Sequence, residues 1–265
     1  MADNIKKLLA DDSVSPQDAA QKIAGSCISA IEKNEDDSKI EDELDALWSG
    51  ILTAAEQTPH DRQDKLVQIV QAIKELSPAS EKAKRISVWG EEKRWDELPM
   101  FGGKAREQLD IGMYRPSTSR SIRDVKTSTA QEKSDEACVN INAIFARVTG
   151  AGIDDFTLYA IWTLREALED PAAKDIAQQS SPKLLKAASV WFIYASDTLS
   201  KATKDGKQFD GKMAKPGASL KDDAEWRGFC NDRWSTWKER LTSLNDADLP
   251  METKKLIGDA VNALT

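Results

Sequence analysis

Apolar residues recur three or four positions apart along nearly the whole chain, and this spacing constrains the fold more than any other feature. Residues three or four apart share one face of an α-helix, whereas a half-buried strand alternates apolar and polar side chains. Strict alternation is almost absent from the sequence. The pattern therefore predicts an all-α fold, an irregular bundle of about eight to ten helices without a significant sheet.

Helix starts can be placed where capping residues meet the apolar pattern. Ser15 followed by Pro16 is typical of a first helical turn. Between residues 80 and 129 the pattern weakens and predicts short helices joined by turns, with Gly102 and Gly103 in a turn before a helix. The stronger patterns predict helices at about 15–33, 38–57, 60–76, 130–149, 154–170, 182–204, 222–244 and 250–264.

The chain has 265 residues, enough to form one hydrophobic core without disulfide bonds. It shows no fixed repeat period, which disfavours a solenoid. Residues 112–129 are rich in Ser, Thr and Arg, and residues 205–221 are rich in Gly and contain a proline. We therefore predict a single domain, 1–265, with flexible loops near 112–129 and 205–221.

Charge and hydropathy limit the partners that the chain can have. The net charge is −8 and the pI is about 5.0, which argues against general binding to nucleic acid because that requires a concentrated basic surface. No apolar run approaches the roughly 20 residues of a membrane span. The N-terminus lacks the features of a secretory signal, and three scattered cysteines are typical of reduced thiols. These features predict an intracellular protein, cytoplasmic or nuclear.

The common catalytic and metal-binding patterns are missing from the sequence. His60 is the only histidine, and one histidine with three distant cysteines cannot form a zinc site. Neither a phosphate-binding loop motif nor a dinucleotide fingerprint is present. The sequence therefore predicts no metal, no cofactor and no catalytic residue.

One string does resemble an enzyme motif. Asn231, Ser235 and Glu239 have the spacing with which terpenoid cyclases hold Mg²⁺ against a diphosphate. At 100° per residue, however, these side chains fall on the helix face opposite Trp237 and Leu241, so we expect them to face solvent. The only partner acidic motif begins at Asp36, in an acidic loop and helix start. A cyclase is therefore disfavoured.

Two arginines interrupt apolar helix faces. Arg165 projects from the face that carries Ile161, Trp162 and Leu168, and Arg233 repeats this feature beside Trp237. A buried guanidinium needs a carboxylate, carbonyls, an aromatic face or a bound anion. We expect Arg165 to be substantially buried and to pair with Glu169, one turn later, in an internal ion pair; an anion or ligand pocket is the alternative.

Tryptophans would line such a pocket. The chain has eight, and tryptophans at helical spacing are more often core residues than ligand-stacking ones. The candidate ligand-binding or anion-binding residues are Arg165, Glu169, Arg233, Trp162, Trp191, Trp234 and Trp237.

Four segments show a family resemblance: Trp95–Pro99, Asn140–Arg147, Tyr159–Glu169 and Arg233–Lys238. In order and approximate spacing they resemble DUF3632, an uncharacterised family found largely in filamentous fungi. The resemblance covers roughly residues 40–264. It implies an α-helical fungal protein and no known activity, cofactor or catalytic residue.

Two functions remain open from the sequence. The first is a non-catalytic protein-interaction or scaffold module with an unidentified protein partner. The second is a small-molecule-binding or anion-binding protein, or an enzyme, whose pocket contains the tryptophans together with Arg165 and Arg233. The sequence does not predict an oligomeric state.

Overall fold

A computed structural model describes the backbone of residues 1–79, 85–114 and 126–264, and all their side chains except 111–114 and 126–132. Eleven α-helices and one two-stranded hairpin lie in these ranges. The all-α prediction is confirmed, since each strand is only three residues long. The chain forms two compact units, 1–141 and 142–265, whose boundary falls within helix α6. In the described part of the chain no helix is long and apolar enough to cross a membrane.

Unit 1 is built around α3, whose apolar residues recur at helical spacing. α3 contacts α1, α2, α5 and β1, and α2 also contacts α4. The expected start at Ser15 and Pro16 is confirmed, because the Ser15 hydroxyl accepts a hydrogen bond from the Asp18 amide. The elements are α1 (Ala2–Ala10), α2 (Pro16–Glu32), α3 (Asp37–Glu56), α4 (Asp64–Glu75), β1 (Ile86–Val88), β2 (Glu91–Lys93), α5 (Phe101–Tyr114) and α6 (Lys126–Gly150), which continues into unit 2.

Unit 2 is built around α9, which contacts α7, α10, α11 and the turn that follows α7. α9 begins as its sequence indicates, with Ser181 as the cap and Pro182 in the first turn. The elements are α7 (Thr157–Leu164), a π-helical turn (Arg165–Glu169), α8 (Ile176–Gln179), α9 (Pro182–Lys204), α10 (Asn231–Ser243) and α11 (Met251–Asn262).

Three helix predictions were wrong in detail. The helix predicted to run to residue 170 changes at Arg165 into a π-turn, closed by a 2.8 Å bond from the Asp170 amide to the Arg165 carbonyl. The helix predicted from residue 222 begins only at Asn231, because residues 207–229 form hydrogen bonds of their own. Gly102 and Gly103 lie in the first turn of α5 and not before it.

The predicted loop near 112–129 is only partly described. Residues 112–114 end α5 and residues 126–129 begin α6, while residues 115–125 lie outside the described residues. Both the single-domain organisation and the flexibility of the two loops stay predictions.

Candidate functional site

The π-turn between α7 and Pro171 places an acidic side chain in the core of unit 2. Ala167, Leu168 and Glu169 are buried there, and Glu169 is 0% exposed. A π-turn holds one more residue than an α-helical turn, and such turns often occur at functional sites. A buried carboxylate must be paired and hydrogen-bonded, so the contacts of Glu169 decide what this site can do.

Glu169 is fully occupied by groups of its own chain. Its Oε1 accepts hydrogen bonds from Arg233 Nε and from the Trp237 indole nitrogen, both at 2.7 Å. Its Oε2 accepts from Arg233 Nη2 at 3.0 Å and from the Gly217 amide at 2.9 Å. A carboxylate offers about four lone-pair positions, and all four are used.

Arg233, in the first turn of α10, is equally saturated and is 0% exposed. Besides the two bonds to Glu169, Nη1 donates to the carbonyls of Ala214 at 2.8 Å and Gly228 at 3.0 Å. Nη2 also donates to the Lys215 carbonyl at 3.2 Å. A guanidinium has five N–H donors. Since all five are engaged, Arg233 has none left for an external anion.

Aromatic rings and a second arginine surround this pair. The guanidinium carbon of Arg233 lies 5.4 Å from the Trp226 ring centroid and 5.5 Å from that of Trp237, within the range of cation–π attraction. Arg240 donates to the carbonyls of Leu168 and Pro171. Burial lowers the pKa of Arg240, and the Glu169 charge opposes this shift. We call Glu169, Arg233, Trp237 and Arg240 the Glu169 cluster.

The Glu169 cluster holds the connection between α9 and α10. Residues 207–229 close on themselves where Phe209 and Phe229 donate to the carbonyls of Arg227 and Lys207, at 2.9 and 2.8 Å. Within this closed segment, Gly217 packs so tightly that a Cβ there would lie 2.4 Å from Glu169 Cβ. Only glycine fits that position. The flexibility predicted near 205–221 can be measured by limited proteolysis.

The predicted pairing of Arg165 with Glu169 was wrong. Arg165 is half-buried, and its Nη1 donates to the Met213 carbonyl at 3.3 Å. The buried face of α7 includes small residues, Ala160 and Thr163, so its centre lies away from the face inferred from the large apolar residues. Arg165 therefore lies at the edge of the core, and Glu169 pairs with Arg233.

The four predicted tryptophans divide into two groups. Trp191 and Trp237 are 0% exposed, and their indole nitrogens donate to Asn142 and Glu169. Trp162 and Trp234 are half-buried, and Trp162 donates to the Met213 carbonyl at 2.8 Å. The structure thus brings Glu169, Arg233, Trp234 and Trp237 together, while Trp162 and Arg165 meet at Met213. A ligand-binding role for these residues stays a prediction.

The cyclase-like string faces solvent, as expected. Asn231, Ser235 and Glu239 are all exposed. The predicted partner motif has another role, since the Asp36 side chain caps α3 by accepting from the Lys39 amide at 2.8 Å. In the described part of the chain no group of three or more His, Cys, Asp or Glu side chains could hold a metal ion.

Sequence reasoning missed Arg240 and a second buried polar group. Arg240 lies seven residues after Arg233 and three after Trp237, so helical spacing could have placed all three on one face. The side-chain oxygen of Asn142, 0% exposed, accepts from Thr163 at 2.8 Å and from Trp191 at 2.9 Å. No sequence signal joins residues so far apart.

Comparison with known proteins places the chain in a group without an assigned function. The family model described as "Protein of unknown function (DUF3632)" matches residues 48–241, which is most of the chain. No curated protein matches the chain. The matched range includes the whole Glu169 cluster and most of both units.

Proposed function

We propose that this chain, which belongs to the DUF3632 family of proteins of unknown function, is a non-catalytic protein-interaction module. The observation that carries the proposal is the saturation of the Arg233–Glu169 ion pair. Five donors of Arg233 and four acceptor positions of Glu169 bind groups of the chain itself. Catalysis or ligand binding by this pair would require uncommitted polar groups, so its chemistry serves the fold and leaves recognition to the surface.

The surface that suits a partner in unit 2 lies beside the π-turn. Tyr159 and Trp162 are half-buried and stack with ring centroids 5.2 Å apart. The Met213 carbonyl accepts from both Trp162 and Arg165, and the Met213 side chain is 45% exposed. We call Tyr159, Trp162, Arg165 and Met213 the unit 2 surface. Aromatic residues, Met and Arg are enriched at protein interfaces.

The reduced cysteines support a location inside the cell. None of the three cysteines forms a disulfide bond; Cys27 and Cys138 are buried, and Cys230 is half-buried. Burial raises the pKa of Cys27 to about 12, with the Glu43 charge adding to the effect. Such a thiol stays protonated and unreactive. We therefore propose a cytoplasmic or nuclear protein, which fits the reducing conditions of those compartments.

Affinity purification with matched variants tests the interaction module. The tagged chain would be recovered from the cells that naturally produce it, as wild type, Arg165→Glu with Met213→Ser, and Lys254→Glu. Lys254 is exposed on α11, so its variant carries the same change of charge away from the unit 2 surface. We expect a partner that co-purifies with the wild type and the Lys254 variant but not with the surface variant. If the partner were recovered equally with all three forms, and the purified partner bound them equally, the unit 2 surface would not be the binding site.

Anion binding is a second candidate, because Arg165 has donors to spare. Within the described part of the chain its hydrogen bond is the one to Met213, at 3.3 Å. Inorganic phosphate would then raise the melting temperature of the wild type but not of Arg165→Ala. A phosphate response that persists in the variant, or none in the wild type, would remove this candidate without affecting the first.

A further inference from the structure

We propose that the tip of the β1–β2 hairpin in unit 1 is a docking point for a protein segment carrying Lys or Arg, with the Trp89 indole stacked against the cation. Trp89 is 56% exposed, and no other aromatic side chain among the described residues is as accessible. The inference concerns a different unit from the unit 2 surface. It therefore stands or fails by itself.

The backbone conformation at the tip indicates that the tryptophan side chain of Trp89 does not stabilise the turn. Val88 pairs with Glu91, which leaves Trp89 and Gly90 as the two central residues of the hairpin. Their φ angles are +51° and +79°. Such turns favour Asn, Asp or Gly, and a bulky side chain in the left-handed region is strained. A turn that would be more stable with Asn holds a tryptophan, and strain of this kind is typical of functional positions.

The neighbouring helix holds the indole in a defined position. A Cβ on Gly103 of α5 would lie 2.3 and 2.4 Å from two carbon atoms of the Trp89 ring. The ring therefore packs directly on the backbone of α5 at Gly103, where no side chain intervenes. The Trp89 amide also donates to Glu41 Oε1 at 2.8 Å. An aromatic ring fixed on rigid elements and still more than half exposed has the geometry of an interface hot spot.

Charge around the tip selects the partner. Glu41 accepts from the Trp89 amide, and Glu91 and Glu92 follow the turn directly. Lys93 pairs with Glu91 at 3.1 Å, so these two charges offset each other and the net negative charge at the tip comes from Glu41 and Glu92. An indole is the best cation–π acceptor among side chains, and carboxylates beside it add attraction for a cation. A Lys or Arg side chain would be attracted by both the indole and the carboxylates, whereas an acidic segment or a phosphate backbone would be repelled.

Peptide binding tests the proposal with the full-length chain. Fluorescein-labelled octa-arginine and octa-glutamate peptides would be titrated at 150 mM NaCl and followed by fluorescence anisotropy. We expect binding of octa-arginine but not of octa-glutamate, and weakening by about ten-fold in Trp89→Asn. Met251→Asn makes the same replacement at an exposed methionine of α11, outside the unit 2 surface, and controls for attraction to an acidic protein. It should leave binding unchanged.

Two further variants keep the test independent of folding. Glu91→Gln with Glu92→Gln changes only exposed side chains, and it should weaken octa-arginine binding without altering the melting temperature. Trp89→Asn should leave the melting temperature equal or higher, because it removes strain from the turn. Unchanged octa-arginine affinity in Trp89→Asn, or a marked fall of its melting temperature, would overturn the proposal and make Trp89 a packing residue.

Discussion

Both units attach an irregular segment to their helices through buried polar contacts, but unit 1 uses neutral groups whereas unit 2 uses charged ones. In unit 1 the indole nitrogens of Trp48 and Trp95 donate to the carbonyls of Pro99 and Ile73, each at 2.8 Å. In unit 2 the corresponding contacts are the ion pair of Arg233 with Glu169 and the bonds around it. The two units therefore attach an irregular segment to their helices with different polar groups.

The apolar content of the two segments explains the difference. The unit 1 segment, residues 85–100, buries the large side chains Ile86, Val88, Trp95, Leu98 and Met100. Of the residues between α9 and α10 in unit 2, the buried ones are mostly small: Ala214, Pro216, Gly217, Gly228 and Phe229. Because burial of apolar area is the main stabilising term, a segment that lacks it needs strong polar contacts instead.

The largest expected effect comes from removing one member of the ion pair. Arg233→Met should lower the free energy of unfolding by about 3–5 kcal/mol, since it leaves the Glu169 carboxylate buried and unpaired. Arg165→Met, at the half-buried arginine, should cost less than about 1 kcal/mol. Urea unfolding followed by circular dichroism measures both.

A double variant tests whether charge causes this loss. Adding Glu169→Leu to Arg233→Met should recover part of the stability, because no charge is then stranded. The carbonyls of Ala214 and Gly228 would still lack their donor, so recovery should be incomplete. If Arg233→Met and Arg165→Met were equally stable, the buried ion pair would not be the main polar contact that holds the unit 2 segment.

Gly217→Ala tests how tightly the segment packs on the Glu169 cluster. Its Cβ would lie 2.4 Å from Glu169 Cβ and 2.7 Å from the Asp170 nitrogen, so backbone would have to move. We expect a loss of about 2 kcal/mol. Gly258→Ala in α11 is the control, because its Cβ would lie 4.0 Å from Asn245 Oδ1, at ordinary van der Waals distance. It should gain about 0.5–1 kcal/mol, and a loss in both would contradict the prediction.

A matched pair of tryptophans compares neutral with charged acceptors directly. Trp48 and Trp237 are both fully buried and donate at 2.8 and 2.7 Å, the first to the Pro99 carbonyl and the second to the Glu169 carboxylate. Beyond the effect of the smaller ring, Trp48→Phe should lower the free energy of unfolding by about 1 kcal/mol and Trp237→Phe by about 2 kcal/mol. Thermal and urea unfolding of both variants give this difference. The reverse order would show that ring packing outweighs acceptor charge.

The sequence predicts the structure correctly where the interacting residues are close together in the chain, and it fails where they are far apart. The helical pattern and the cap at Ser15 involve residues within a turn of one another, so both were predictable. The need of Arg233 for a partner was also visible, because it lies beside Trp237 at helical spacing. Its actual partner, Glu169, lies 64 residues away, and the sequence favours the nearer pairing with Arg165. The π-turn leaves no sequence signal of its own.

The smallest expected effect lies at the exposed edge of unit 2, where Lys207 pairs with Asp155 and also donates to the Thr157 hydroxyl at 2.8 Å. Partial burial alone would raise the pKa of Asp155, but hydrogen bonds from Lys207 and Thr157 outweigh it and hold that pKa below its ordinary value. A depressed folded-state pKa contributes stability above the unfolded-state value, about pH 4, and this contribution disappears as the pH falls through the folded-state pKa.

Because both side chains contact solvent, the Lys207–Asp155 pair should contribute less than about 1 kcal/mol to the free energy of unfolding. This is smaller than the loss expected when the buried pair of Arg233 and Glu169 is broken. Unfolding free energies of the wild type, Asp155→Asn and the exposed control Asp248→Asn between about pH 2 and pH 6 measure it. An advantage of the wild type over Asp155→Asn that persists at the lowest pH would show that the contact does not depend on the Asp155 charge.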